Sequence, residues 1–218
     1  MIALRRQRFW IFGVVAAALP QLLAAAAGAK EVAYVTHPNT GTISVIDTHD
    51  AALTAAIRTG DAVRPAALAM TPDGHFVYVT NYLSCTVSVV DTATHLIVET
   101  IGVGNGPSSA AITADGQFVL VSNDGSCSVS VISTALRRVV NTIPVGYYPI
   151  KVVVTPDGAS AYAATEDTLA MIDVAQGTVV RTVRLANPRL AISPNGAALY
   201  AWRSDSDTLV AFDAKNRF

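Results

Sequence analysis

The 218-residue chain is short of the side chains that usually carry chemistry. It has two cysteines, four histidines and 14% charged residues. Neither Cys85 nor Cys127 belongs to a Cys-x-x-Cys-His run, so covalent attachment of a c-type heme is excluded. The chain also lacks a Gly-x-Ser-x-Gly elbow and a phosphate loop. Gly102-Val103-Gly104-Asn105-Gly106 is glycine-rich, but it precedes a strand-like segment and offers no helix N-terminus to a phosphate. Positive charge is not in excess, with 15 Lys+Arg against 16 Asp+Glu, which argues against a nucleic-acid partner. A helical period of 3.6 is nowhere sustained, and after residue 29 no apolar run is long enough to cross a bilayer.

One long apolar run is present, at the N-terminus. Arg5, Arg6 and Arg8 precede a nearly unbroken apolar stretch over residues 9–27, and Ala27-Gly28-Ala29 forms a small-x-small site before Lys30. This is the anatomy of a cleavable secretory signal peptide over residues 1–29. The alternative is a retained anchor, since the stretch is almost long enough to span a membrane. Pro20 and Gln21 interrupt the run and favour cleavage. Export places the remaining domain, residues 30–218, in the periplasm or outside the cell. Without the three leader arginines, 12 basic side chains face 16 acidic ones.

The rest of the chain repeats. Thr71-Pro72-Asp73-Gly74 returns as Thr113-Ala114-Asp115-Gly116, Thr155-Pro156-Asp157-Gly158 and Ser193-Pro194-Asn195-Gly196, with starts 42, 42 and 38 residues apart. A period of this size, filled with strand-like sequence and turn signals, predicts a β-propeller. Each repeat resolves into four short strands, A to D from the channel outward. Pro65-to-Met70, Phe76-Val77-Tyr78-Val79-Thr80, Thr86-Val87-Ser88-Val89-Val90-Asp91 and Leu96-Ile97-Val98-Glu99-Thr100-Ile101 make the clearest set. The B-strand phrase also occurs at Tyr34, Tyr162 and Tyr200, where the tyrosines are read as core. The Asp closing each C strand (Asp47, Asp91, Asp173, Asp213), with Ser133 as its stand-in, is read as binding amides in the next turn.

Tyr78-Val79-Thr80-Asn81 and its partial copies resemble the YVTN (YncE-like) family of β-propeller repeats, across the whole of residues 30–218. The resemblance implies a scaffold with varied roles and commonly about seven blades. WD40 blades fit less well, because no Gly-His…Trp-Asp pairing recurs. A quinoprotein-type propeller fits less well because no tryptophan recurs once per blade. The count from residue 30 is B-C-D, three complete sets, then A-B-C, which makes 18 strands. The expectation is an all-β propeller of about five sheets, incomplete at both ends and open or truncated. An unpaired blade edge would allow self-association.

Cys85 and Cys127 are 42 residues apart and therefore equivalent in neighbouring sheets. Facing sheets lie ~10 Å apart, whereas a disulfide needs Cα atoms within about 7 Å, so both are expected as free thiols. His37, His49, His75 and His95 fall in turns on two different faces and do not converge, so no metal site is expected. What does not repeat is the set of loops joining D strands to A strands. They carry Asp61 and Arg64, then Asn105, then Tyr147 and Tyr148, then Asn187 and Arg189, with Lys151 opening an A strand below the rim. Arg64, Asn105, Tyr147, Tyr148, Lys151 and Arg189 are the candidate contacts for a ligand or partner. Tyr and Arg are types enriched in interface hot spots. The functional expectation is a secreted, non-enzymatic propeller without a cofactor, binding a protein or small ligand through the face of D–A and B–C loops. Alternatives are an accessory subunit of a periplasmic dehydrogenase or a lactonase-like enzyme, and a surface-layer module.

Overall fold

The computed structural model describes residues 14–15, 31–60, 63–203, 206 and 208–214. Every regular element among them is a β-strand, and the strands form five antiparallel sheets. The first sheet holds β1 (Val14–Val15), β2 (Val32–His37), β3 (Thr42–Asp47) and β4 (Leu53–Arg58). The second holds β5 (Pro65–Met70), β6 (Phe76–Asn81), β7 (Thr86–Asp91) and β8 (Leu96–Gly102). The third holds β9 (Pro107–Ile112), β10 (Phe118–Asn123), β11 (Ser128–Ser133) and β12 (Arg138–Pro144). The fourth holds β13 (Lys151–Val154), β14 (Ser160–Ala164), β15 (Thr168–Asp173) and β16 (Thr178–Arg184). The fifth has three strands, β17 (Pro188–Ile192), β18 (Ala198–Arg203) and β19 (Thr208–Asp213).

The 18 strands counted from the sequence are β2 to β19. One addition was not foreseen. Val14 and Val15, within the expected leader, pair with Val35 and Tyr34 and stand where the other sheets have their inner strand. The rest of the leader lies outside the described residues.

The turn between the first two strands of a blade is held by its own side chains. Thr71 Oγ1 accepts from the Phe76 amide at 3.0 Å, while the Asp73 carboxylate accepts from the Thr71 hydroxyl and the His75 amide. The same set recurs around Thr113, Thr155 and Ser193. Gly74, Gly116, Gly158 and Gly196 take φ near +70° in these turns, as the phrase requires. The acids closing the third strands also act as read: Asp91 accepts from the Ala93 and Thr94 amides, Asp173 from Gln176, and Ser133 Oγ from Leu136. In the four complete sheets the register slips once between third and fourth strands, for example between Val89 and Val90, a bulge that re-aims the outer strand.

Each neighbouring pair of sheets encloses its own apolar layer. Tyr34, Ile43 and Val45 of the first sheet meet Val77, Val79 and Val90 of the second. Tyr78, Val87 and Val89 meet Val119, Val121 and Ile132. Leu120, Val129 and Val131 meet Ala161, Ala163 and Ile172. Tyr162, Leu169 and Met171 meet Leu190, Leu199 and Ala201. A forward face of large side chains thus always receives a rear face of smaller or branched ones. Each valine, leucine, isoleucine or methionine side chain fully buried there contributes about 1.5–3 kcal/mol. The inner strands contact in series, β5 on β9, β9 on β13 and β13 on β17, and no comparable contact among the described residues returns the fifth sheet to the first. The result is an arc of a β-propeller.

Tyr34, Tyr78 and Tyr162 are buried, as expected for core. Tyr200 is not: it is 39% exposed, because among the described residues no sheet packs in front of the fifth. A second difference concerns His95, expected as an exposed turn residue. It is half-buried, its ring 6.5 Å from that of Tyr34, with its Nδ1 enclosed.

Candidate functional site

The first residues of the inner strands converge at the axis and enclose a cavity of about 350 Å³. All five sheets contribute. Pro38 follows β2, Ala66 and Ala67 lie on β5, Ser108 and Ser109 on β9, Ile150 precedes β13, and Arg64, Tyr82, Lys151 and Arg189 complete the wall. Three of the candidate residues read from the sequence, Arg64, Lys151 and Arg189, therefore share one cavity although they come from three sheets. No carboxylate lines it among the described residues. An anion entering this space would meet three basic side chains.

The serines fix this wall across a blade boundary. The Ser108 hydroxyl donates to the Pro149 carbonyl at 3.1 Å, and the Val152 amide donates to Ser109 Oγ at 3.4 Å. Arg64 stands over the ring of Tyr82, 5.0 Å from its centroid, while the Tyr82 hydroxyl donates to Asp124 Oδ2 at 2.9 Å. That donation, followed by burial, raises the Tyr82 pKa and keeps the phenol protonated. Lys151 opens onto the cavity but is crowded by the surrounding wall, and loss of solvent lowers its pKa. A neighbouring anion would favour its charged form.

The backbone beneath the rim is strained at related places. The residue before the proline that opens or shortly precedes the inner strand in sheets two to five has left-handed φ: Arg64 +52°, Gly106 +67°, Tyr148 +47° and Asn187 +46°. Proline disfavours the right-handed helical region for the residue before it, and the left-handed region costs a non-glycine residue roughly 1–2 kcal/mol. Glycine occupies only one of the four positions. Arg64, Tyr148 and Asn187 are held there despite that cost, which marks the rim as a place where side chains matter.

The other candidates are placed differently. Tyr147 and Tyr148 are exposed on the same loop rim without lining the cavity. Asn105 is part of the framework: its amide donates to Ser126 Oγ at 2.6 Å, its carbonyl accepts from Gly125, and its Oδ1 accepts from Cys85 Sγ. Asp61 lies outside the described residues. Cys85 and Cys127 are both free, at φ +57° and +52° in equivalent loops where the first sheet has Gly41. Tyr82, Ser108 and Ser109 escaped the sequence reading. Their only signal was position, directly after Asn81 and Pro107, at the strand ends that meet the axis.

Comparison with known proteins fits this architecture. The family model of the Cytochrome D1 heme domain matches residues 27–150, more than half of the chain. The chain belongs to that β-propeller family. Among solved structures it is similar to Kuenenia stuttgartiensis hydrazine synthase, at 28% identity and a TM-score of 0.73 over 78% of this chain. The chain spans 51% of the length of that protein. It is also similar to a functionally unknown protein from Desulfotomaculum acetoxidans DSM 771, at 16% identity and a TM-score of 0.74, covering 98% of this chain and 72% of that one. No curated protein matches.

A heme is the group implied by the family's name, and the residues of the axial cavity do not fit one. The lining offers no His, Cys or Met to an iron, the hydroxyl of its tyrosine, Tyr82, is committed to Asp124, and no cluster of three or more His, Cys, Asp or Glu able to hold a metal occurs among the described residues. The imidazole beside this rim, His37, has its Nε2 at 2.8 Å from the Ser44 hydroxyl. The charged groups of the wall are instead those of an anion site: two guanidiniums and an ammonium.

Proposed function

We propose that this chain is a non-enzymatic propeller module, secreted or periplasmic, that binds an anionic group at the axial end of its loop-bearing face. The group is a carboxylate or phosphate of a small ligand or of a partner protein. The observation that carries this reading is the convergence of Arg64, Lys151 and Arg189 on one cavity with no lining carboxylate among the described residues. Guanidinium groups recognise carboxylate and phosphate by two parallel hydrogen bonds, and a partly desolvated site strengthens each of them. The hydroxyl of Tyr82 is committed to Asp124, which leaves the three cations as the principal anchors. Export is supported by the basic-apolar-small pattern of residues 1–29, and the repeat phrases support a YVTN-like subclass.

Isothermal titration with citrate and with inorganic phosphate tests the reading, with spermidine as the cationic control. Citrate is expected to bind with an affinity that falls as salt rises. Replacing Lys151 by Met is expected to weaken it by about 10- to 100-fold, the worth of one charge-assisted hydrogen bond. Equal affinity in wild type and variant would overturn the assignment. A second reading, an accessory module of a redox assembly, is favoured by the similarity to hydrazine synthase over 78% of this chain. In that case the same rim would receive an acidic segment of a partner.

A further inference from the structure

The axial cavity arises from a difference between sheets. Near the start of their inner strands, sheets two and three carry Ala66, Ala67, Ser108 and Ser109, whereas sheets four and five carry Lys151 and Arg189. Small residues on one side leave the space that long cationic side chains line on the other. Among the described residues neither Lys151 nor Arg189 has a hydrogen-bond or ion-pair partner, and both are solvent-exposed. The choice of lysine here departs from the rest of the chain. Of 15 basic residues only Lys30, Lys151 and Lys215 are lysine, so Lys151 is the single lysine between residues 31 and 214. A guanidinium keeps its proton under all ordinary conditions, whereas an ammonium can release its own and become a nucleophile.

Resting on the anion-site reading, we infer that the axial cavity takes a 2-oxo acid, its carboxylate on Arg64 and Arg189 and its carbonyl carbon joined reversibly to Lys151 Nζ as an imine. Two guanidiniums recognise the carboxylate, and the one amine of the wall meets the adjoining ketone. The ammonium first gives one proton to solvent. The free amine adds to the carbonyl carbon, and the carbinolamine takes one proton from solvent as its hydroxyl leaves as water. Ammonium and ketone thus become iminium and water, with no change of net charge or oxidation state. Crowding by the cavity wall lowers the Lys151 pKa even though the side chain is solvent-exposed, which enlarges the neutral fraction able to react. The bound carboxylate offsets the iminium charge beside the two guanidiniums. The capture is a mode of binding and involves no turnover.

Incubation of the full chain with pyruvate and cyanoborohydride, read by intact mass and tryptic mapping, tests the inference. One secondary-amine adduct per chain is expected, on Lys151, and Lys151→Arg should lose it with unchanged circular dichroism. Lactate, which has a hydroxyl in place of the carbonyl, should slow the labelling by competition and leave no adduct itself. Acetone, which lacks the carboxylate, supplies the second comparison. The rate advantage of pyruvate over acetone should be larger at Lys151 than at Lys215, and replacing Arg64 and Arg189 together by Gln should reduce it to the Lys215 value. Labelling of Lys30, Lys151 and Lys215 at equal rates would overturn the inference, as would an advantage at Lys151 that survives loss of both arginines. Equal calorimetric binding of pyruvate and lactate without an adduct would also overturn it while leaving the anion site standing. Binding of neither acid, with no adduct, would remove both.

Discussion

Thr155→Val is the sharpest test of what holds each blade. Valine keeps the shape of the side chain and removes the hydroxyl. Thr155 Oγ1 accepts from the Ser160 amide at 3.0 Å and lies within hydrogen-bond distance of both the Asp157 carboxylate and the Ser160 carbonyl, at 2.9 Å from the latter. One hydroxyl proton serves only one of those two acceptors, so the substitution removes one donated and one accepted bond. Each contributes about 0.5–1.5 kcal/mol net, and the Ser160 amide is left buried without this partner, at about 1–3 kcal/mol. The backbone bond from the Thr155 amide to the Ser160 carbonyl remains. The expected loss is about 2–3 kcal/mol, read as a lower urea midpoint at constant slope. Ser193→Ala removes the same pair of bonds in the half-buried fifth-sheet turn, where water replaces them, and should cost about half as much. A loss below about 0.5 kcal/mol at Thr155, or an equal loss at Ser193, would refute the view that these buried turn hydroxyls hold the blades.

Other consequences follow from single observations. Asp73 and Asp115 have lowered pKa values, first from the hydroxyls of Thr71 and Thr113 and then from turn amides. A lowered folded value means stability present above the unfolded pKa, about 3.9, and lost as pH falls through the folded one. Asp115→Asn should therefore flatten the acid limb of a stability-against-pH curve, and an unchanged limb would contradict this. Gly106→Ala should destabilise by more than about 2 kcal/mol in urea unfolding, because φ is +67° and the new Cβ would collide with the Asp124 carboxylate. Tyr148→Gly, at the equivalent left-handed position, should instead stabilise by about 1 kcal/mol in the same assay. Ellman titration of the native protein should find two free thiols per chain, and a disulfide in non-reducing mass spectrometry would refute the placement of Cys85 and Cys127.

The strands were legible because blade-forming information is local. A period-two pattern and a Thr-Pro-Asp-Gly turn act within about ten residues, and Asp91 or Asp173 bonds amides only two or three positions away. The axial site was only partly legible. Arg64, Lys151 and Arg189 were found because they vary inside a repeating frame, but that they meet depends on the curvature of the arc. Ser108 and Ser109 look like strand residues in the sequence, and only the approach of Pro149 and Val152 from the next sheet gives them a role. Asn105 was read as a contact because it sits in a variable loop, and its three bonds to neighbouring loops make it framework. Tyr200 repeats a core motif faithfully, yet its exposure is decided by whether a sheet stands in front of it.

The anion site is tested most directly by diffraction from crystals soaked in selenate, a tetrahedral dianion with an anomalous signal. An anomalous peak is expected inside the axial cavity, between Arg64, Lys151 and Arg189, and it should vanish in crystals of the Lys151→Met variant. Peaks confined to the outer surface, or a cavity peak of equal height in that variant, would contradict the account.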